Sequence, residues 1–176
     1  MEYVILVDEH DAPLGLMEKL KAHEQGALHR AISVLIFNAE SELLIQRRAL
    51  GKYHSPGLWT NSCCSHPRDG EEVLAAGERR LMEEMGMKAT LQPLFHFRYR
   101  AEFDNGLIEH ELDHVLVGRS NELPALNREE AMDFEWMSLD TVRQEIERKP
   151  SQFTPWFILL IQNHFEELNR YACELQ

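Results

Sequence analysis

Asp104-Asn105-Gly106 separates two runs of aliphatic and aromatic residues, Leu94 to Phe103 and Leu107 to Val117. Asn-Gly between two such runs is a strong hairpin signal, because glycine takes a positive φ without a Cβ clash. The middle of the chain is thereby committed to a long antiparallel pair on which the other elements must pack. A three-residue loop sets Tyr99 across from Glu111, whereas a bulge at Gly106 would slip the pairing by one residue. Glu109, Glu111 and Asp113 alternate with His110, Leu112 and His114, so three carboxylates share one strand face. Either that face is solvated or, if it is enclosed, its like charges need cations or protons. A phenol beside one of those carboxylates can hold or relay a proton.

Elsewhere, Tyr3 to Val7 reads as a strand and Asp11 to Gly15 as a turn. Arg30 to Phe37 and Glu42 to Arg47 read as strands paired in a hairpin about a turn at 38–41. Leu74, Leu81 and Met85 recur at helical spacing across Glu71 to Met85, with Gly86 as the stop. After a polar connection over Leu123 to Asp133, Phe134 to Met137 is a short strand. Ser138 can cap a helix reaching about Arg148, and Thr154-Pro155 opens a last helix reaching about Tyr171. Strands and helices mix without regular βαβ alternation, which predicts an α+β fold or an α/β/α sandwich around a mixed sheet. With no repeat, low-complexity tract or linker in the sequence, the expectation is one domain over residues 1–176.

Composition limits the partners. A chain of 176 residues that is 44% hydrophobic can build a core without disulfides. Three cysteines, two of them adjacent, form no disulfide framework and point to a reducing compartment, the cytoplasm. The N-terminus lacks the basic region of a signal peptide, and no apolar run reaches transmembrane length. A net charge of −12 argues against nucleic acid and anionic membranes as partners. An anionic small substrate stays possible if basic residues and metal ions gather locally.

Several groups of residues can carry chemistry. If Trp59 to Pro67 is extended, Cys64 and His66 point to one side and Cys63 to the other; the alternative is a buried structural thiol beside a surface histidine. His23, His29 and His66 with Glu109 and Glu111 form a nitrogen and oxygen set suited to Mn²⁺, Zn²⁺ or Fe²⁺, against the reading of scattered surface histidines. Lys19, Arg47, Arg48, Lys52, Arg79 and Arg80 can gather on a phosphate group. The alternative for the last two is ordinary helix pairing, with Arg80 and Glu84 at i and i+4. Trp59 and Trp156 fit a core, and an indole face can also stabilise a cation.

Glu71, Arg79 and Glu83-Glu84-Met85-Gly86 resemble the Nudix signature, whose loop and helix use glutamates to hold Mg²⁺ on a diphosphate. Ser65 stands where that signature begins with glycine, and Arg80 where hydrolases carry a glutamate. The second departure puts a positive charge at a metal-binding position and argues against diphosphate hydrolysis. Thr60 to Pro67, Phe97 to Arg100, Glu109-His110-Glu111 and Thr154-Pro155-Trp156 together resemble the type 1 isopentenyl-diphosphate isomerase family over nearly the whole chain.

That resemblance implies a Nudix-like α/β/α sandwich with a mixed central sheet. It also implies interconversion of isopentenyl and dimethylallyl diphosphate through a tertiary carbocation. Cys64 and Glu111 would be the catalytic pair, with Tyr99 assisting protonation and Trp156 facing the cation. His23, His29, His66, Glu109 and Glu111 would bind Mn²⁺ or Zn²⁺, and Glu84 a Mg²⁺ bridging to the diphosphate. Lys19, Arg48, Lys52 and Arg80 match positions that meet the diphosphate, and His66 with nearby basic groups would support a Cys64 thiolate. A monomer and a dimer are both open. The competing readings are a Nudix pyrophosphohydrolase, and a diphosphate-binding module without activity.

Overall fold

The computed structural model describes residues 1–174. In chain order the elements are strands β1 (Tyr3–Val7) and β2 (Pro13–Glu18), helix α1 (Lys19–Gln25), and strands β3 (His29–Phe37) and β4 (Glu42–Arg48). The short strands β5 (Trp59–Thr60) and β6 (Cys63–Ser65) precede helix α2 (Val73–Met85). Strands β7 (Gln92–Glu102), β8 (Ile108–Arg119) and β9 (Ala131–Ser138) follow, then helices α3 (Leu139–Arg148) and α4 (Pro155–Cys173).

β3 is the axis of the mixed sheet. It runs parallel to β8 from His29↔Glu111 to Phe37↔Arg119 and antiparallel to β6, where Ser33 pairs with Cys64. Alternate residues of β3 serve opposite layers, as period two requires. Ile32, Val34 and Ile36 pack with Leu81 and Met85 of α2. Leu35 and Phe37 pack with Val142 of α3 and with Phe157, Leu160 and Ile161 of α4. Burying each such side chain contributes roughly 1.5–3 kcal/mol, which explains why 34–37 is a continuous apolar run. The result is an α/β/α sandwich, as expected. Near its N-terminal end β3 turns His29, Ala31 and Ser33 toward the α4 side, and the site lies there.

The hairpin of β7 and β8 pairs Tyr99 with Glu111 and shows no slip at Gly106; its irregularity lies instead between Pro93 and Phe95. Three local expectations change. The first turn spans 8–12 rather than 11–15, because the Asp8 carboxylate accepts from the backbone of His10 and Ala12 (2.9 and 3.0 Å). Pro13 to Glu18 is consequently a strand, paired back on β1. Helix α2 begins at Val73, since Glu71 is drawn off to the Arg79 guanidinium (2.8 Å) and the Arg68 amide (2.9 Å).

The third change is larger. β3 and β4 do not form a hairpin ladder: only Phe37↔Leu43 pairs, and β4 runs along β9 instead. Asn61 and Ser62 wedge between the two strands. Ser62 Oγ accepts from Ile36 N (2.9 Å) and donates to Leu44 O (2.6 Å), while Asn61 Nδ2 donates to Val34 O (3.0 Å). Those backbone groups are satisfied by side chains in place of a neighbouring strand. No helix among the described residues is long and apolar enough to cross a membrane.

Candidate active site

The wedge that splits β3 from β4 also delivers the thiol. Cys63 turns into the α2 layer, fully buried, while Cys64 faces a cavity of about 590 Å³. Cys64 Sγ donates to Asn61 Oδ1 (3.0 Å) and accepts from Trp156 Nε1 (3.2 Å). Trp156 is held there because the start of α4 is fastened to β5. Thr154 N donates to Trp59 O (3.0 Å), and the Thr154 hydroxyl donates to Thr60 Oγ1 (2.9 Å) instead of capping its own helix. Burial, with Asp113 and Glu84 adding the same sign, pushes the Cys64 thiol up to about 12, against the indole donor. Of the expected support for a thiolate, His66 is turned to Glu111 instead, and the Arg48 charge, which favours the thiolate, is outweighed by burial.

Glu111 comes from the strand on the other edge of β3, beside His29. Its Oε2 lies 2.8 Å from His66 Nε2 and 3.3 Å from His29 Nε2. The Tyr99 hydroxyl donates to its Oε1 and, at 2.8 Å, to Glu109 Oε2. Burial alone would keep Glu111 protonated, yet the two imidazoles prevail and hold it well below the usual carboxylate range. Burial and both carboxylates push the Tyr99 phenol far up, so it keeps its proton. Asp113, next on the same face, accepts from Ser33 Oγ (2.6 Å), and its Oδ1 is buried without a partner.

His23 completes the group from α1. Glu18 caps that helix by accepting from the Leu20 and Lys21 amides (3.1 Å each), and Gly26 ends it at φ 66. Donor atoms of His23, His29 and His66 lie within 4.8 Å of one another. Burial, then the neighbouring His66 and His29, lowers His23 to about 3, so its ring is neutral at physiological pH. Its Nε2 is buried with no partner, a feature that calls for an explanation in a native site. A divalent cation supplies one: three imidazole nitrogens beside a carboxylate are a fitting donor set, the ion displacing whatever protons the rings carry. This cluster can hold a metal ion.

At the mouth, Lys19, Arg48, Arg68, Arg79 and Arg80 line the cavity. Arg48 is buried, donates to the carbonyls of Ser55 and His54 (3.2 and 3.1 Å), and lies over the Trp156 ring (5.3 Å). Lys19 reaches Glu2 (2.6 Å). Lys52 is set back from the cavity and engages Glu130 (2.6 Å), and Arg47 turns away to Gly57 O (2.8 Å). Arg79 sits between Glu71 and Glu83. Arg80 bonds Glu83 and Glu84 (2.6 and 2.7 Å), so helix pairing and the cavity lining are both true of it. Glu84 is buried, and its other oxygen accepts from Gln46 Nε2 (3.0 Å).

Sequence reasoning missed Tyr53 and His54. Tyr53 Oη lies 2.6 Å from His23 Nδ1, and His54 Nε2 lies 2.9 Å from Glu109 Oε1. Neither sits in a periodic segment, so nothing local marked them. Asn61 was likewise unmarked.

The model of the NUDIX domain matches residues 27–157. The isopentenyl-diphosphate Delta-isomerase of Pectobacterium atrosepticum is 54% identical, over 89% of this chain and 87% of that protein. The Serratia proteamaculans protein of the same name is 46% identical, over 97% and 96%. The chain belongs to the isopentenyl-diphosphate Delta-isomerase family of NUDIX-domain proteins. Among solved structures, DR0079 from Deinococcus radiodurans superposes with a TM-score of 0.76 at 20% identity, covering 92% of this chain and 98% of that one. That likeness concerns the fold.

Proposed function

We propose that the chain, acting as one domain in the cytoplasm, interconverts isopentenyl and dimethylallyl diphosphate. One observation carries this reading: Cys64 and Glu111, delivered by strands on opposite edges of β3, line one cavity with the Trp156 indole against the thiol. A diphosphate hydrolase would leave the thiol and the indole idle.

The double bond moves by adding a proton to one end of an unactivated alkene and removing one elsewhere. Alkenes are feeble bases, so acid and base must be held in register in a space that excludes water, which would capture the tertiary cation. The resting site holds a proton on Cys64 and on Tyr99 and a carboxylate at Glu111. Cys64 and Glu111 exchange the roles of acid and base with the direction of reaction, Tyr99 relays the proton on the Glu111 side, and the Trp156 face stabilises the cation. Arg48, Arg80, Lys19 and Lys52 hold the diphosphate; for the last two, Glu2 and Glu130 must yield their cations to substrate.

His23, His29, His66, Glu109 and Glu111 would hold Mn²⁺ or Zn²⁺, which lowers the proton affinity of Glu111, and Glu84 a Mg²⁺ that neutralises diphosphate charge. Arg80 and Gln46 each take one lone pair of a different Glu84 oxygen, which leaves the others for an ion.

The test uses the acid lability of allylic diphosphates. Purified chain incubated with isopentenyl diphosphate, Mg²⁺ and Mn²⁺ is expected to form an acid-labile product without releasing inorganic phosphate. Phosphate release would instead establish a hydrolase.

A further inference from the structure

We propose that Tyr53 and His54, neighbours on the loop between β4 and β5, are positioning residues of the histidine–glutamate metal site, Tyr53 aiming His23 and His54 aiming Glu109. The inference rests on the metal reading above and adds two residues to it.

Each of the two reaches the outer side of a different ligand. For His23 to present a lone pair at its free Nε2, its proton must sit on Nδ1, where the Tyr53 oxygen lies at 2.6 Å. His29 is arranged in the same way, its Nδ1 lying 2.9 Å from Ala27 O. Fixing the second ring nitrogen in this manner sets both the tautomer and the direction of a ligating imidazole. Glu109 Oε2 accepts from Tyr99 and its Oε1 lies 2.9 Å from His54 Nε2, so each carboxylate oxygen has its own neighbour.

A purely structural role does not account for either residue. His54 is 7% exposed, yet its Nδ1 is buried without a partner; a residue kept for stability alone would not bear that cost. Tyr53 is 39% exposed, too open for a core aromatic, and its hydroxyl lies 2.6 Å from His23 Nδ1. The His54 ring is held in turn by stacking on Phe103 (4.9 Å) and an edge contact with Trp156 (5.7 Å). Its carbonyl accepts from Arg48. One short loop thus orients two metal ligands and an arginine of the cavity mouth.

The experiment is an electron paramagnetic resonance titration of the chelator-stripped full chain with Mn²⁺, following loss of the free-ion signal. Tyr53→Phe and His54→Phe are expected to weaken Mn²⁺ binding about 10- to 100-fold while circular dichroism and thermal unfolding stay close to wild type. His54→Gln, which keeps an N–H at the position of Nε2, is expected to bind within about threefold of wild type. Folded Tyr53→Phe and His54→Phe proteins that bind as tightly as wild type overturn the proposal, as does a His54→Gln protein as weak as His54→Phe. Tyr53→Phe carries the test if His54→Phe does not fold, because it removes a single hydroxyl from a residue that is 39% exposed. A wild type that binds no Mn²⁺ refutes the metal reading itself, and the positioning role with it.

Discussion

Removing the Tyr99 hydroxyl isolates the protonating side of the site. Tyr99→Phe keeps the ring, which packs in the α4-side core and stacks on Phe97 at 5.7 Å. It deletes a donor shared by Glu109 and Glu111. Glu109 keeps His54, and Glu111 keeps His66 and His29 on Oε2, but Glu111 Oε1 loses its donor. A hydrogen bond to a charged group is worth about 1.5–3 kcal/mol, and each 1.36 kcal/mol is about tenfold in rate. The variant is therefore expected to lose about 10- to 100-fold in kcat. KM is expected to move less than about threefold, because Tyr99 touches none of the cationic groups at the mouth. Steady-state kinetics with isopentenyl diphosphate give both numbers, and urea unfolding checks that any lost stability stays within about 3 kcal/mol. An unchanged kcat, or a raised KM at unchanged kcat, would refute the assignment of Tyr99 to proton transfer.

Three further outcomes follow from the same structure. Cys64→Ser, which replaces the thiol by a far weaker acid of similar size, is expected to cost more than about 10³-fold in kcat and to gain no phosphate release; near-normal turnover would remove Cys64 from the mechanism. Gly26→Ala puts a Cβ at φ +66, 3.2 Å from Ile108 Cγ2, and is expected to destabilise the chain by about 1–2 kcal/mol and weaken Mn²⁺ binding through α1; urea unfolding and Mn²⁺ titration check both. Hydrogen bonds from Arg79 lower the Glu71 carboxyl, so the stability it adds is present above the unfolded-state value near 4.5 and is lost as pH falls through the lower folded value. Wild type should accordingly exceed Glu71→Gln by about 1 kcal/mol at pH 7 in urea unfolding, with the gap closing in acid; a pH-independent gap would contradict this.

The legible part of the site was the part written in short periods. Alternation on β8 put Glu109, Glu111 and Asp113 on one face, and of the two registers that Asn105-Gly106 allowed, the three-residue loop with Tyr99 opposite Glu111 is the one formed. The same period separated Cys64 from Cys63. What escaped depended on pairings between distant segments. The parallel register of β3 on β8 sets His29 beside Glu111, and no local pattern encodes it. The hairpin expected of β3 and β4 failed because Asn61 and Ser62 occupy the gap between them, side chains that look like ordinary turn formers. Tyr53 and His54 lie on an aperiodic loop whose shape depends on the hairpin tip and α4 around it. The basic residues were visible as a set, but only the fold separates Arg48 and Arg80, on the cavity, from Arg47, turned away from it.

The central claim is that a proton is added to and removed from carbon in this cavity. The most direct test is ¹H NMR of isopentenyl diphosphate with the purified chain, Mg²⁺ and Mn²⁺ in D₂O. The account expects dimethylallyl diphosphate carrying deuterium in its methyl groups, with deuterium also washing into recovered isopentenyl diphosphate as the reaction reverses. An unchanged alkene, whether with released phosphate or with bound but unconverted substrate, would contradict it.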